Sequence, residues 1–304
     1  MTQLLNALPG ALAQGLIWGV MAIGVYITYK VLDIADLTVD GSICTGAAVC
    51  TMLLLGGQSP WLALLCAVLA GVLAGAVTGL LHVGLGIPPI LAGILTQMVL
   101  WSVNLKLLGK ANQALPARTT PVLLSQMDVG GALPVLLGFC VVLVALLVLF
   151  FGTELGCALR ATGCNPVMSR AQGVNTGLMK IIGLALSNGV VALSGALLCQ
   201  YQGYTDVNMG RGAVVIGLAA VVIGQAVLGR RGGRMAVQLG GVILGAVIYY
   251  IVYQVIIFAG FDTDLLKMFS AVVVAVFLGA PHVKAQLKAH SRSKKGDSGH
   301  AENG

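Results

Sequence analysis

The chain has 304 residues, of which 58% are hydrophobic and only 9% are charged. This composition excludes a soluble fold with a polar surface, and a mean hydropathy of +0.97 is typical of a polytopic membrane protein. The formal net charge of +7 gives no reason to expect a nucleic-acid partner, because basic cytoplasmic loops and attraction to anionic membrane lipid account for it.

Apolar segments close to the length of about 20 residues that crosses a bilayer follow one another along the chain. We predict about nine transmembrane segments, at residues 11–29, 42–55, 61–85, 88–108, 132–151, 181–199, 212–228, 235–259 and 265–278. The second segment is shorter than a full span, as expected of a broken or half helix. The predicted fold class is therefore an all-α polytopic membrane protein with discontinuous helices.

Lysine and arginine residues are concentrated in alternate segments between the predicted helices. If the chain after Pro281 lies inside the cell, twelve of the seventeen basic residues lie on the cytoplasmic side. Because cytoplasmic loops carry the excess of basic residues, we predict an external amino terminus and a cytoplasmic carboxyl terminus. Residues 1–281 then form a transmembrane domain, and residues 282–304 form a basic, disordered cytoplasmic tail.

Two polar segments, residues 35–41 and 205–211, interrupt the apolar sequence 170 positions apart. Each segment follows a predicted helix, contains an Asp and precedes a Gly-rich apolar run. Four predicted helices before the linker helix at 132–151 begin outside, and four after it begin inside, so residues 11–108 and 181–279 form two inverted repeats. Inverted repeats place a substrate route at their interface, lined by discontinuous helices.

Acidic side chains within lipid are costly and persist only where protein or a water-filled cavity surrounds them. The polar residues of the two interruptions are therefore candidates for a translocation pathway: Asp36, Thr38, Asp40, Ser42, Asp206 and Asn208, with Arg211 in addition. Helix amino termini at Ser42 and Gly212 can face a substrate carboxylate, and an Asp can bind an ammonium group. The alternative is that these acids cap the helices that follow them. Amides within the predicted helices are weaker candidates, because interhelical hydrogen bonding explains them equally well: Gln97, Asn104, Asn188 and Gln200.

The longest predicted cytoplasmic connection, residues 152–180, contains the pattern Gly-x-x-x-Arg-Ala-x-Gly-x-Asn-Pro followed by Ala-x-Gly-Val-Asn. This pattern resembles the cytoplasmic loop of permease subunits in ABC importers of the ribose and branched-chain amino acid permease family. Residues 36–42 are similar to that family's Asp-Leu-Ser-Val-Gly-Ser turn, and residues 217–224 to its late Gly-rich stretch. The similarity covers about residues 16–279. The second acid, Asp40, brings the chain nearest to amino-acid permeases assigned to tryptophan or tyrosine.

The resemblance implies a bacterial inner-membrane protein that dimerises, receives solute from an extracellular or periplasmic binding protein and binds ABC ATPase subunits at its cytoplasmic face. It also implies that the connection couples transport to the ATPase through Glu154, Arg160, Asn165, Pro166, Arg170, Gly173 and Asn175. Asn165 and Pro166 favour the start of a short helix that ends near Gly173. Glu154 either pairs with Arg160 or lies at the ATPase interface. The alternative reading is that the basic residues of this connection only enforce topology.

The sequence contains no phosphate-binding Gly-x-x-x-x-Gly-Lys-[Ser/Thr] motif, and residues 229–234 form a basic turn between predicted helices. Its four histidines are too dispersed for a metal site or a catalytic triad. We therefore expect no catalytic residue, metal or cofactor in this chain, and we expect ATP and Mg²⁺ in the partner ATPase. The predicted function is the permease subunit of an ATP-driven importer of a small polar solute, with an amino acid favoured.

An ion-coupled secondary transporter is the main alternative function. Such a protein would use the same inverted repeat, with Asp36, Asp40 or Asp206 as its ion site. A structural or receptor membrane protein is a third class, which the repeated polar interruption disfavours. A transport assay distinguishes the first two classes: uptake that requires ATP favours the importer, and uptake that requires an ion gradient favours the secondary transporter.

Overall fold

The computed structural model describes residues 2–116, 120–228 and 234–258, together with the single positions 268, 272 and 275. The described helices are α1 Thr2–Tyr26, α2 Val39–Leu55, α3 Pro60–Gly84, α4 Pro89–Leu108, α5 Val129–Gly152, α6 Glu154–Cys164, α7 Pro166–Ala171, α8 Thr176–Gln202, α9 Ala213–Leu228 and α10 Met235–Phe258. Strands β1 Asn112–Ala114 and β2 Tyr204–Asp206 form a short antiparallel pair. Within the described residues, the prediction of a helical chain is confirmed except for this ribbon, which joins the loop after α4 to the second polar interruption.

Six of the described helices are long and apolar enough to cross a membrane, namely α1, α3, α4, α5, α8 and α10. The short apolar helices α2 and α9 follow the two polar interruptions, as predicted. Eight of the nine predicted segments thus coincide with described helices. The ninth, at 265–278, lies outside the described residues apart from three single positions, and so does the predicted tail at 282–304.

Glycines bring the backbones of the long helices into direct contact. Helix α3 packs along α8, and a methyl group added to Gly71 or Gly75 would overlap the α8 backbone at Asn188 or Leu184. Gly15 on α1 lies against the α10 backbone in the same manner. Close approach through small residues is the usual way in which helices pack within a membrane.

Helices α1 and α8 have equivalent neighbours, because each packs against one short helix and one long helix of the other half. Helix α1 packs against α9 and α10, α8 packs against α2 and α3, and α1 and α8 also contact each other. These two helices run antiparallel, because Ser187 donates a hydrogen bond to the Gly24 carbonyl while Ser194, further along α8, donates to the earlier Ile17 carbonyl. Each half therefore contributes one long helix to the centre of the bundle.

The first polar interruption begins with a change of helix type. Helix α1 continues as a π-helical turn at Ile27–Val31, a geometry that is often found at functional sites. Asp33 then has a φ of 55°, in the left-handed region that non-glycine residues seldom occupy. Helix α2 begins at Val39, so Ser42 lies within its first turn rather than at the predicted start of the helix. This irregular segment positions the acidic residue that follows it.

Candidate functional site

Asp36 lies inside the protein and is hydrogen-bonded through both oxygens. It is 5% exposed. Its Oδ1 accepts the N–H of Thr38 at 2.8 Å, and its Oδ2 accepts Nδ2 of Asn188 at 2.7 Å. The Oδ1 of Asn188 accepts the hydroxyl of Ser42 at 2.6 Å. The interhelical hydrogen bonding that was the alternative for Asn188 is thus observed, and it fastens the first interruption to α8.

A chain of threonine hydroxyls extends this network to α3 and α4. The hydroxyl oxygens of Thr38 and Thr78 lie 2.8 Å apart, and that of Thr78 donates to Thr96 at 2.9 Å. Thr96 donates in turn to the Ala92 carbonyl at 3.0 Å. Three of the predicted pathway residues, Asp36, Thr38 and Ser42, are therefore buried in a hydrogen-bonded core, and they do not line either of the two cavities described below.

Asp40 caps a helix of the opposite half. Its Oδ2 accepts the N–H of Gly212 and its Oδ1 accepts the N–H of Val214, each at 3.0 Å. The carboxylate of Asp40 thus occupies the positive end of α9, where the sequence predicted a substrate carboxylate. The alternative that Asp40 caps the helix following it is wrong, since Asp40 lies in the first turn of α2 and its oxygens accept N–H groups at the start of α9.

The second interruption is fastened to α2 by further contacts. The hydroxyls of Thr51 and Thr205 lie 2.7 Å apart, and the Gly210 N–H donates to Sγ of Cys44 at 3.2 Å. Asp206 accepts the Asn208 N–H at 2.7 Å, which is the same local turn that Asp36 makes with the residue two positions on. The Asp206 side chain therefore stabilises its own turn. The Asn208 side chain accepts a hydrogen bond from Nε1 of Trp101 at 3.4 Å.

A cavity of about 570 Å³ lies between α2, α4 and the second interruption, and we call it the α2–α4 chamber. Its lining comprises Asp40, Gly41, Cys44, Ile94, Gln97, Met98, Trp101, Ser102, Asn104, Val207 and Arg211. The chamber brings together the predicted pathway residue Asp40, the additional candidate Arg211 and two of the weaker amide candidates. Trp101 was missed, although the spacing of Gln97, Trp101 and Asn104 places all three on one face of a helix and could have revealed it.

Asn104 differs from every other amide named so far. Its side chain is 1% exposed, and neither Oδ1 nor Nδ2 has a hydrogen-bond partner in the protein. Asn188 on α8 is equally buried, yet both of its polar side-chain atoms form hydrogen bonds. Buried polar groups are normally paired, so an unpaired amide that lines a cavity requires an explanation.

A second cavity of about 580 Å³ lies between α1, α9 and α10, and we call it the aromatic cavity. Trp18 and Tyr250 face each other there with ring centroids 5.8 Å apart, and Tyr253 lies 6.0 Å from Tyr250. Arg211 lines both cavities and so forms part of the wall between them. Among the described residues, no group of three His, Cys, Asp or Glu side chains could hold a metal ion.

The predicted coupling connection folds as two short helices. Asn165 accepts the first free N–H groups of α7 at 3.0 and 3.1 Å, and Pro166 occupies the first helical position. Gly173 takes a left-handed φ of 85° just beyond this helix. Asn175 caps α8, accepting a backbone N–H at 3.1 Å. The predicted helix start and end are confirmed, whereas α8 begins five positions before the predicted residue 181.

Three charged residues of this connection, Glu154, Arg160 and Arg170, are exposed. Nε of Arg170 donates to Oγ1 of Thr176 at 2.8 Å, which joins α7 to the start of α8. No ion pair links Glu154 to Arg160, both of which the structure describes; Glu154 instead lies in the first turn of α6. Val167 and Met168 on α7 are 78% and 62% exposed. The connection therefore presents an apolar tip flanked by arginine.

Helix α6 carries the connection back to the first polar interruption. A methyl group on Gly163 would overlap the Val31 carbonyl oxygen, and the Leu159 side chain lies against Gly183 of α8. Val31 ends the π-helical turn. The coupling connection is thus in direct backbone contact with the segment that leads to Asp36.

Comparison with known proteins gives concordant matches. The profile for the permease component of branched-chain amino acid transport systems matches residues 8–280. A tyrosine transport system permease protein of Clostridioides difficile is 38% identical over 287 residues, covering 93% of this chain and 94% of that protein. An uncharacterized protein of Rickettsia prowazekii is 33% identical over 279 residues, covering 91% and 98%. The autoinducer 2 import system permease protein LsrC of Escherichia coli is 29% identical over 216 residues, covering 67% and 60%. No solved structure matches significantly.

Proposed function

The chain belongs to the family of permease components of branched-chain amino acid transport systems, and from that premise we propose that it is the membrane subunit of an ATP-driven amino-acid importer. It is a multi-pass protein of the bacterial inner membrane. The observation that carries the proposal is the α2–α4 chamber, which holds Asp40 and Arg211 within a chain that is otherwise mostly apolar. Ionisable residues among membrane helices mark substrate or ion pathways.

The position of the chamber supports a route between two inverted halves. Asp40 comes from the first half and Arg211 from the second interruption, so the chamber lies where the predicted repeats meet. The corresponding packing of α1 and α8 is consistent with this repeat. Asp206 and Asn208 do not line the chamber, but the Asn208 side chain accepts a hydrogen bond from Nε1 of Trp101, which does. Asp36, Thr38 and Ser42 hold the first interruption in place.

The lining of the chamber suits an amino acid. The guanidinium of Arg211 can bind a carboxylate, and the Asp40 oxygens, each of which accepts one backbone N–H, retain capacity for an ammonium group. Ile94, Met98 and Trp101 supply apolar surface for a side chain. A volume of about 570 Å³ lies within the usual range for small-molecule sites. Because a similar permease is named for tyrosine transport, an aromatic amino acid is the proposed solute.

The cytoplasmic connection supplies the coupling to ATP. Val167 and Met168 would insert into a groove of a partner ATPase, with Arg160 and Arg170 as charged contacts. ATP and Mg²⁺ would be bound by that partner, because this sequence lacks a phosphate-binding motif. An extracellular binding protein would deliver the solute, and a second copy of the permease would complete the complex.

Uptake into proteoliposomes tests the proposal. The permease, reconstituted with a partner ABC ATPase and a solute-binding protein from the same organism, should accumulate radiolabelled L-tyrosine only when ATP is present. Uptake should persist after ionophores collapse the ion gradients. Uptake that follows a proton or sodium gradient without ATP would contradict the proposal and favour a secondary transporter with Asp36, Asp40 or Asp206 as its ion site.

A further inference from the structure

The lining of the α2–α4 chamber includes the unpaired side-chain amide of Asn104. Its Oδ1 and Nδ2 are buried without a partner in the protein, and leaving a polar group in that state is unfavourable compared with an apolar side chain of the same shape. A leucine in this place would pack without that penalty. Because Asn104 lines the chamber, a group that enters the chamber is the expected partner of this amide.

The surrounding residues restrict what that partner is. An amide offers a donor and an acceptor side by side, and its natural complement is a group that also donates and accepts, such as a hydroxyl or another amide. Asp40 and Arg211 provide opposite charges in the same chamber, and Trp101 and Met98 provide apolar contact. A zwitterion with an apolar body and a polar side-chain end matches all of these features.

We propose that the chamber is a solute-binding site of the permease itself, which takes a zwitterionic amino acid. Asn104 determines the specificity of this site by hydrogen-bonding a hydroxyl or amide group on the side chain of that amino acid. This inference rests on the proposed function. It assigns selectivity to the membrane subunit in addition to any external binding protein. A site that hydrogen-bonds a solute hydroxyl rejects the analogue that lacks it, because the polar group of the site is then left unpaired.

Calorimetric titration of the purified permease in lipid nanodiscs, without ATPase or binding protein, tests the inference. L-Tyrosine and L-phenylalanine are the probes, since they differ by one hydroxyl. The native protein should bind tyrosine at least about tenfold more tightly than phenylalanine. Asn104→Leu should weaken tyrosine binding by about tenfold or more and leave phenylalanine binding unchanged.

Two controls separate recognition from folding. Gln254→Leu makes the same amide-to-leucine change in the aromatic cavity and should leave both affinities unchanged. The Tm of ligand-free Asn104→Leu should equal or exceed that of the native protein, because the mutation removes an unpaired buried amide. A lower Tm would show instead that Asn104 has a structural partner and would overturn the inference.

Equal affinity for the two amino acids, no binding of either, or an unchanged preference in Asn104→Leu would also overturn it, and the last result would mean that water alone satisfies the amide. These outcomes are separable from failure of the proposed function. ATP-driven uptake without any binding to the isolated permease defeats only the inference. Selective binding without ATP-driven uptake defeats only the assignment as an ATP-driven importer.

Discussion

Replacing Asp40 with alanine removes the cap that one half of the molecule provides for a helix of the other. The carboxylate accepts the N–H groups of Gly212 and Val214, each at 3.0 Å, and Asp40→Ala leaves the first turn of α9 without an acceptor. Loss of an N-cap costs about 0.5–2 kcal/mol. Loss of the negative charge beside the helix dipole adds about 0.3–1 kcal/mol. We expect a total destabilisation of about 2 kcal/mol.

Thermal unfolding of the purified protein in detergent measures this loss. A change of 1 kcal/mol moves the Tm of a domain of this size class by about 2–4 °C, so the Tm should fall by about 4–8 °C. Hydrogen exchange provides the local measurement. The amide protons of residues 212–214 should exchange faster in the variant, while amides at the centre of α8 keep their protection.

Asp206→Ala is the matched control, because the Asp206 side chain accepts a single N–H within an exposed turn. We expect a smaller fall in Tm, since the loss of one exposed hydrogen bond costs about 0.5–1.5 kcal/mol, which is less than the loss of about 2 kcal/mol expected for Asp40→Ala. Equal losses for the two variants, or unchanged exchange at the start of α9, would refute the reasoning that Asp40 is the cap joining the halves.

Three other substitutions test the buried core, the helix packing and the coupling connection. Asp36→Ala removes the acceptor of the Thr38 N–H and of the Asn188 amide; we expect a loss of about 2–4 kcal/mol and a Tm below that of Asp206→Ala. Gly46→Leu would collide with the α8 backbone, and it should abolish accumulation in membranes on immunoblots, whereas Gly84→Leu, which meets open space, should accumulate normally. Arg170→Glu should leave membrane insertion intact but lower the amount of solute taken up per ATP hydrolysed, and an unchanged ratio would exclude this residue from coupling.

The features that the sequence predicted are those that depend on neighbours along the chain. Hydropathy located eight helices because a bilayer requires uninterrupted apolar runs. The short helix α7 followed from Asn165, Pro166 and Gly173, since a cap, a fixed φ and a left-handed glycine act within one or two turns. Local chemistry of this kind can be read from residue type and spacing alone.

The partners of the acidic residues could not be predicted in this way. Asp40 caps a helix whose first N–H groups lie 172 and 174 positions further along the chain, and only the tertiary packing brings them together. Asn104 and Asn188 are the same residue type in similar apolar helices, yet one is unpaired and the other is fully bonded. The difference arises from which helix faces each amide in space.

Each polar interruption is hydrogen-bonded to the opposite half of the molecule, and these bonds limit how the two halves can move apart. Asn188 of the second half binds Asp36 and Ser42 of the first, and Asp40 of the first half binds two amides of the second. Separating the two halves at the polar interruptions would break these four hydrogen bonds together. At about 1 kcal/mol for each bond, this would cost about 4 kcal/mol. We therefore expect the outer helices to move around this hydrogen-bonded centre, and opening towards either face to leave the four hydrogen bonds intact.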